Sequence, residues 1–353
     1  MKLDNRKKQR LNIIAVVGFI LLVSWAQITW NPFFTRLANV CAIYVIAAVS
    51  INLINGYSGQ FSLGHAGFMA IGAYASALLY MSPELKEVNY FITPIIWPLS
   101  VIQIPFFPAW IIGGLVAALA GFIIGIPCLR VRGDYLAIVT YGFSEIIRFL
   151  ICNFQSITNG PLGFKGVPQY TNLWWSWGFA LFTVIFIKRL IDSSYGRALR
   201  AISGDEVSAE AMGINLFKHK MLAFVLGAFF AGIAGALLPS LLMAIDPYYF
   251  QIILTYQFIA IIIMGGLGNI TGSVIVGSAF AISLELLRVL ETPHVLFTLS
   301  IPGIPGMRML VISILILAVI LFRHRGLFGQ EISWEWLFSL FSRFSQKLRF
   351  RHK

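Results

Sequence analysis

Ionisable residues inside apolar runs are the first place to look for chemistry, because a bilayer core tolerates them only when they are paired or used. Two pairs fit that description. Glu145 and Arg148 occur as Glu-Ile-Ile-Arg, and Glu285 and Arg288 as Glu-Leu-Leu-Arg. A spacing of i,i+3 puts both charges on one helix face, where each pair neutralises itself. Each pair is either a tie between helices or a polar lining near one end of a transport path. His65 lies in a glycine-rich turn, Asn55-Gly-Tyr-Ser-Gly-Gln-Phe-Ser-Leu-Gly-His-Ala-Gly67, as a hydrogen-bonded interior histidine or as a titrating gate. Gly56 and Gly59 in the same turn allow a bent or broken helix whose backbone groups face a cavity; tight packing explains them equally well. Bond-making chemistry has no foothold. The sequence holds no His-Glu-x-x-His, no Gly-x-Ser-x-Gly, and no cluster of Cys, His and carboxylates at ligand spacing.

A second kind of site is the polar island Tyr195-Gly-Arg-Ala-Leu-Arg-Ala-Ile-Ser-Gly-Asp-Glu-Val-Ser-Ala-Glu-Ala-Met-Gly213. Arg197 and Arg200 lie on its first half, Glu206 and Glu210 on its second. Ser203 or Asp205 can cap a second helix and Gly213 can end it. The island is expected to form two short helices in one cytoplasmic loop, about 192–220. Val207 and Ala211 at i,i+4, with Ala209 and Met212 nearby, give it a small apolar face suited to docking.

The elements that position these residues are membrane spans. The sequence is 58% hydrophobic and 11% charged, with a mean hydropathy of +0.83, far too apolar for a water-soluble domain. The net charge of +12 does not indicate nucleic acid, since roughly twenty of the 26 Lys and Arg fall in segments that would face the cytoplasm. Hydropathy predicts an all-α polytopic fold of about ten transmembrane helices with both termini inside. The spans fall near 11–30, 37–54, the turn to 81, 110–128, 134–152, 173–191, 221–243, 252–266, 271–290 and 309–322. Residues 1–10 form a basic cytoplasmic N-terminus, 11–326 the transmembrane domain, and 327–353 an amphipathic basic tail on the inner leaflet. Prolines 83, 94, 98, 105 and 108 exclude a regular lipid-exposed helix from 82–108, which belongs outside the membrane or on its outer surface. Ala66, Ala70, Ala73 and Ala77 make one small-residue seam, and Gly227, Ala231 and Gly235, beside Ala228, Gly232 and Ala236, make another. Cys41, Cys128 and Cys152 read as small hydrophobes. The run Gly265-Gly-Leu-Gly-Asn-Ile-Thr-Gly272 lacks the lysine of a phosphate-binding loop, so no cofactor is expected on this chain, and any ATP belongs to another.

Several runs, in order, carry a family resemblance: Asn52 to Phe68 through the glycine-rich turn, Leu129-Arg-Val-Arg-Gly-Asp-Tyr-Leu-Ala137, Thr158-Asn-Gly-Pro-Leu-Gly163, Gly196-Arg-Ala-Leu-Arg-Ala-Ile, Ala209-Glu-Ala-Met-Gly213, and Met264 to Gly272. From about 39 to 329 the chain resembles the M-type (LivM-like) permeases of branched-chain amino-acid ABC importers. The resemblance implies a bacterial inner-membrane importer for leucine, isoleucine and valine. Its partners would be a second homologous permease, two cytoplasmic ATPases holding ATP and Mg, and an external substrate-binding protein. It also implies that the loop couples to the ATPase, with Arg197, Arg200, Glu206, Glu210, Ala211 and Gly213 as candidate contacts. Glu210, Ala211 and Gly213 correspond to the core of the importer EAA loop, although the glycine follows Glu-Ala by two residues instead of four and no Leu-Pro follows. A urea, short-amide or other amino-acid permease of the same family is the alternative, and a stand-alone secondary transporter a more distant one. The polar loop, and the lack of a lone unpaired intramembrane acid, count against the latter.

Overall fold

A computed structural model describes residues 5–131, 133, 135–291, 294–296, 299–301, 304–323 and 326–328. The expected amphipathic tail therefore lies outside the described residues from 329 on, as do residues 1–4 of the basic N-terminus. The elements in order are α1 (Asn5–Thr29), α2 (Pro32–Asn52) running into a π-helical turn (Leu53–Tyr57), α3 (His65–Tyr80), α4 (Pro83–Asn89), α5 (Phe106–Cys128), α6 (Tyr135–Asn153) and α7 (Gln155–Thr158). They continue with β1 (Phe164–Lys165), α8 (Leu173–Asp192), α9 (Ser194–Gly204), α10 (Glu206–Ala211), α11 (Leu216–Leu242) and β2 (Ala244–Ile245). A 3-10 turn (Pro247–Phe250), α12 (Ile252–Gly265), α13 (Ile270–Leu286), β3 (His294–Leu296), β4 (Leu299–Ile301) and α14 (Met307–Phe322) complete the chain.

The expectation of about ten spans is corrected to six. Among the described residues, six helices are long and apolar enough to cross a membrane: Pro32–Tyr57, Phe106–Cys128, Tyr135–Asn153, Leu173–Asp192, Leu216–Leu242 and Ile270–Glu291. The other four expected spans do not reach crossing length among the described residues. In α1 those residues give the apolar stretch Val16–Thr29, and Ile252–Gly265 and Met307–Phe322 are short apolar helices. The third expected span, after the irregular turn 58–64, is α3 from His65, 16 residues long. At 1.5 Å per residue that is about 24 Å, short of a hydrocarbon core of about 30 Å.

Two of the six crossing-length helices are central. The best apolar window of Pro32–Tyr57 is 83% buried and that of Leu216–Leu242 78%, against 28–39% for the other four. In lipid there is little hydrophobic drive between helices, so close van der Waals approach must hold them. Here α3, α5 and α11 meet almost backbone to backbone. A Cβ added at Gly72 of α3 would lie 2.1 Å from the Gly232 carbonyl oxygen of α11. One added at Gly113 of α5 would lie 2.7 Å from the Gly72 oxygen, and one at Gly235 2.0 Å from the Met69 oxygen. The alanine seam of α3 is fully buried, as is Ala231 with its neighbours in α11. The matching glycines of α5 were not singled out in the sequence; Gly121, for instance, faces the Ala228 methyl at 2.6 Å from where its own Cβ would sit.

Residues 82–108 form no regular spanning helix and instead make a cap at the bundle end formed by the C-termini of α3 and α11. Ser82 caps α4 by accepting from Leu85 N at 3.4 Å, with Pro83 in the first turn. Lys86 is buried and donates from Nζ to Leu99 O (2.8 Å) and Ile102 O (2.6 Å), folding the proline-rich stretch back over α4. Burial with no carboxylate partner lowers the Lys86 pKa. Tyr90 OH donates to Ile157 O, tying the cap to the segment after α6.

Gly72→Ala should force α3 and α11 apart and cost on the order of 1–3 kcal/mol, as overpacking does. A fall in the melting temperature of the detergent-solubilised protein would show it. Gly142→Ala, where an added Cβ meets nothing within 4 Å, should leave that temperature unchanged.

Candidate functional site

The glycine-rich turn is the junction of the structure. After the π-helical turn the chain is irregular from 58 to 64, which leaves backbone donors without helical partners. Polar side chains of neighbouring helices take them up: Leu63 N donates to Thr140 Oγ1 and Ala66 N to Thr255 Oγ1, both at 3.0 Å. Asn55 closes the loop on itself, accepting from Ser62 N and donating to Ser62 O, each at 3.3 Å.

The second glycine-rich turn, 265–272, packs directly on the first. Asn52 bridges them. Its Oδ1 accepts from Gly268 N (2.9 Å), and its Nδ2 donates to Asn269 O (3.1 Å) and Ser273 Oγ (2.8 Å). Gly56 must be glycine here, since a Cβ would fall 1.9 Å from Asn52 Oδ1 and 2.4 Å from Gly268 N. His65 opens α3 and is fully buried, with Nε2 2.9 Å from Ser50 Oγ. The Ser50 hydroxyl gives its one proton to Ala47 O at 2.8 Å. It therefore accepts from His65, which places the imidazole proton on Nε2. His65 Nδ1 is left buried without a partner.

The polar island folds as two helices, as its sequence indicates, and α9 rests on the first glycine turn. Gly196, Leu199 and Ile202 are the buried face of α9. Asp205, and not Ser203, caps α10, accepting from Ser208 N at 2.9 Å, and Gly213 ends it with φ +81°. Gly59 has φ +68°, and its missing Cβ would sit 3.0 Å from Ser203 Cα. The Arg200 guanidinium stands over the Tyr57 ring at 5.8 Å. Gln60 Nε2 donates to Lys220 O (3.1 Å), and Lys220 Nζ pairs with Glu206 at 2.6 Å. Glu210 shares a cleft of about 590 Å³ with Arg130, Gly213 and Lys220. Val207 (73% exposed), Met212 (83%) and Ala211 face outward, while Ala209 is buried. Arg197 is exposed and donates to Ser194 Oγ at 3.0 Å.

Gly56, Gly59, His65, Arg200 and Glu206 are thus gathered around one junction. The two charged pairs are not part of it. Glu145–Arg148 closes on itself at 2.7 Å on α6, which packs on α3 and α5. Glu285–Arg288 closes at 3.2 Å between the end of α13, which packs on α2 and α12, and the 3-10 turn after it (Leu287–Glu291), with the arginine side chain 60% exposed. Asn52, Gln60, Thr140, Thr255 and Lys220 escaped the sequence-based reading. For all but Lys220 the signal was an uncharged polar side chain inside an apolar helix or flanking a turn.

Residues 33–320 match the family described as "Branched-chain amino acid transport system / permease component". The chain belongs to this family. Among relatives of the family, the LivM permease of the high-affinity branched-chain amino acid transport system of Escherichia coli (strain K12) is 32% identical over 320 residues, covering 80% of this chain and 69% of that protein. The LivH permease of the same organism is 25% identical over 260 residues, covering 68% of this chain and 80% of that one. A solved structure, PsaBC from Streptococcus pneumoniae in complex with Fab, aligns with a TM-score of 0.44 and 16% identity over 85% of this chain and 95% of that one. Family membership makes the chain a multi-pass, non-catalytic permease subunit of a multi-subunit ABC importer. Its two glycine turns and the loop motif of 196–213 lie within the matched residues.

Gly59→Val puts a branched side chain at positive φ against the Ser203 backbone, a cost of about 1–2 kcal/mol from the backbone alone. It should loosen α9 from the turn. Trypsin cleavage at Arg197 and Arg200 should quicken several-fold while the melting temperature of the α3–α5–α11 core holds. Unchanged cleavage would mean that Gly59 does not seat the loop.

Proposed function

We propose that this chain is the LivM-like permease of an importer that carries leucine, isoleucine and valine, and that 192–220 is the cytoplasmic loop through which ATPase subunits drive it. The complex would hold a second homologous permease, two ATPases that bind ATP and Mg, and an external binding protein, in a bacterial inner membrane. What supports the coupling role most is one arrangement. The face carrying Val207, Ala211 and Met212 turns outward, while the body of the loop is anchored on the glycine turn through Gly59, Arg200 and Gln60. Exposed apolar side chains on a six-residue helix cost solvation unless a partner covers them. A rigid seat lets a push on that face reach the bundle.

The path from loop to bundle is then short. Displacement of α10 is passed through Glu206–Lys220 to Gln60, and displacement of α9 through Ser203 to Gly59 and Arg200 to Tyr57. From there the π-helical turn carries it to Asn52 and so to Gly268 and Asn269 at the head of α13. The buried junction moves as a unit, because each broken hydrogen bond inside it costs about 1–3 kcal/mol. Glu145–Arg148 and Glu285–Arg288 are self-neutralised, which suits polar linings or ties better than ion-coupling sites.

Ala211→Arg on the outward face, or Gly213→Pro against a φ of +81°, should abolish ATP-driven leucine uptake in the reconstituted complex and spare membrane insertion. Normal uptake in both would remove the coupling role. Labelled leucine against labelled urea in the same vesicles tests the substrate: urea uptake without leucine uptake would replace it.

A further inference from the structure

At the end of α11 away from α9 and α10, a cavity of about 240 Å³ opens beside the β1–β2 ribbon. α11 is 27 residues long, so about 40 Å of helix separates this cavity from the polar loop. Beside the ribbon its wall is apolar, with Leu162, Leu238, Leu242 and Phe250 among its lining. Lys165 and Asp246 also line it. The strand register sets how these two stand. Lys165 pairs with Ala244, two residues before Asp246, so alternation turns Lys165, Ala244 and Asp246 to one side of the ribbon, and such diagonal neighbours are about 7–8 Å apart. Phe164 and Ile245 turn to the other side and are buried.

Among the described residues neither charge is in an ion pair. One Asp246 oxygen accepts from Tyr248 N at 2.8 Å, and the Lys165 backbone is clamped by the Asn89 side chain at 2.8 and 3.0 Å. The two wall segments also carry the two non-glycine left-handed residues found among the described residues, Asn159 (φ 59°) and Met243 (φ 57°). Asn159 Nδ2 donates to Gly163 O at 2.7 Å. Gly163 itself lies under Ile245, whose carbonyl oxygen would be 1.9 Å from an added Cβ. Unfavourable backbone of this kind collects at ligand sites. It also accounts for Thr158–Gly163, a motif that the coupling loop leaves unused.

The geometry points to a receiving site for a free branched-chain amino acid, with Lys165 taking the carboxylate, Asp246 the ammonium, and Leu238, Leu242 and Phe250 enclosing the side chain. This site rests on the importer function proposed above. The volume is many times the 10–15 Å³ or so that one water needs and just below the roughly 300–1,000 Å³ of drug-sized pockets, the size class of a small metabolite. A cation and an anion held apart beside an apolar cavity complement a zwitterion with a compact apolar side chain, and match a simple hydrocarbon, amine or acid less well. Placed opposite the coupling loop, the site meets the amino acid as it enters the permease.

The test is photo-crosslinking of a diazirine leucine analogue to the whole transporter complex in lipid nanodiscs, with the labelled peptide mapped. Labelling is expected within 238–250, suppressed about tenfold or more by excess leucine, isoleucine or valine, but not by isocaproate or isoamylamine, each of which lacks one charge. Lys165→Gln and Asp246→Asn, which keeps the Tyr248 cap, should each remove most of the leucine-suppressible labelling at unchanged melting temperature. Labelling elsewhere, labelling that isocaproate and isoamylamine suppress as well as leucine does, or labelling suppressed only by added phosphatidylethanolamine would overturn the site. If either variant fails to assemble, competition on the unaltered chain decides alone. ATP-driven leucine uptake by the same complex separates the two levels. Uptake without labelling rejects this site only, whereas an intact complex that does not import leucine rejects the importer function beneath it.

Discussion

The approach of α3, α5 and α11 at Gly72, Gly113 and Gly232 is the contact on which the rest depends. Three helices touch there largely through carbonyl oxygens and Cα atoms, with the Ala117 methyl against Gly232. In lipid, apolar side chains gain little by leaving one hydrocarbon environment for another, so the attraction must come from dispersion at short range. A single methyl group at any of these positions has no room. This fixes α11, and α11 carries on one end the seat of the polar loop and on the other the wall of the β1–β2 cavity.

The second constraint is polar. A chain that unwinds inside a bundle must pair every backbone group it frees. The irregular stretch 58–64 and the head of α3 are possible because Thr140, Asn55 and Thr255 supply partners, and because Asn52 uses both ends of its amide across the two glycine turns. The same bonds make the junction stiff. It sits between α9 and the head of α13, so stiffness there turns a local displacement of the loop into a displacement of the bundle.

Local features were legible in the sequence because their cause is local. The alanine seam of α3 and the small-residue ladder of α11 follow from helical periodicity, and both are buried. Asp205 as cap and Gly213 as terminator follow from the chemistry of helix ends, and the i,i+3 pairs close at the distances their spacing allows. The count of about ten spans failed on length. Apolar runs were counted as spans although the helices they form are short: 16 residues after the glycine-rich turn, 14 for 252–266 and 16 for 309–322. The glycines of α5 were missed because their role depends on which helix faces them.

By itself the sequence determined the class, a polytopic all-helical permease, because apolar composition and ordered family motifs need no three-dimensional arrangement to be read. It also determined the polar loop, whose charge has no place in lipid. Only the tertiary structure decided that residues 52–60, 200–206, 220 and 268–273 form one junction, and that Lys165 and Asp246 share a face of one ribbon. Those are relations between residues far apart in the chain, set by helix packing and strand register. No local propensity encodes them.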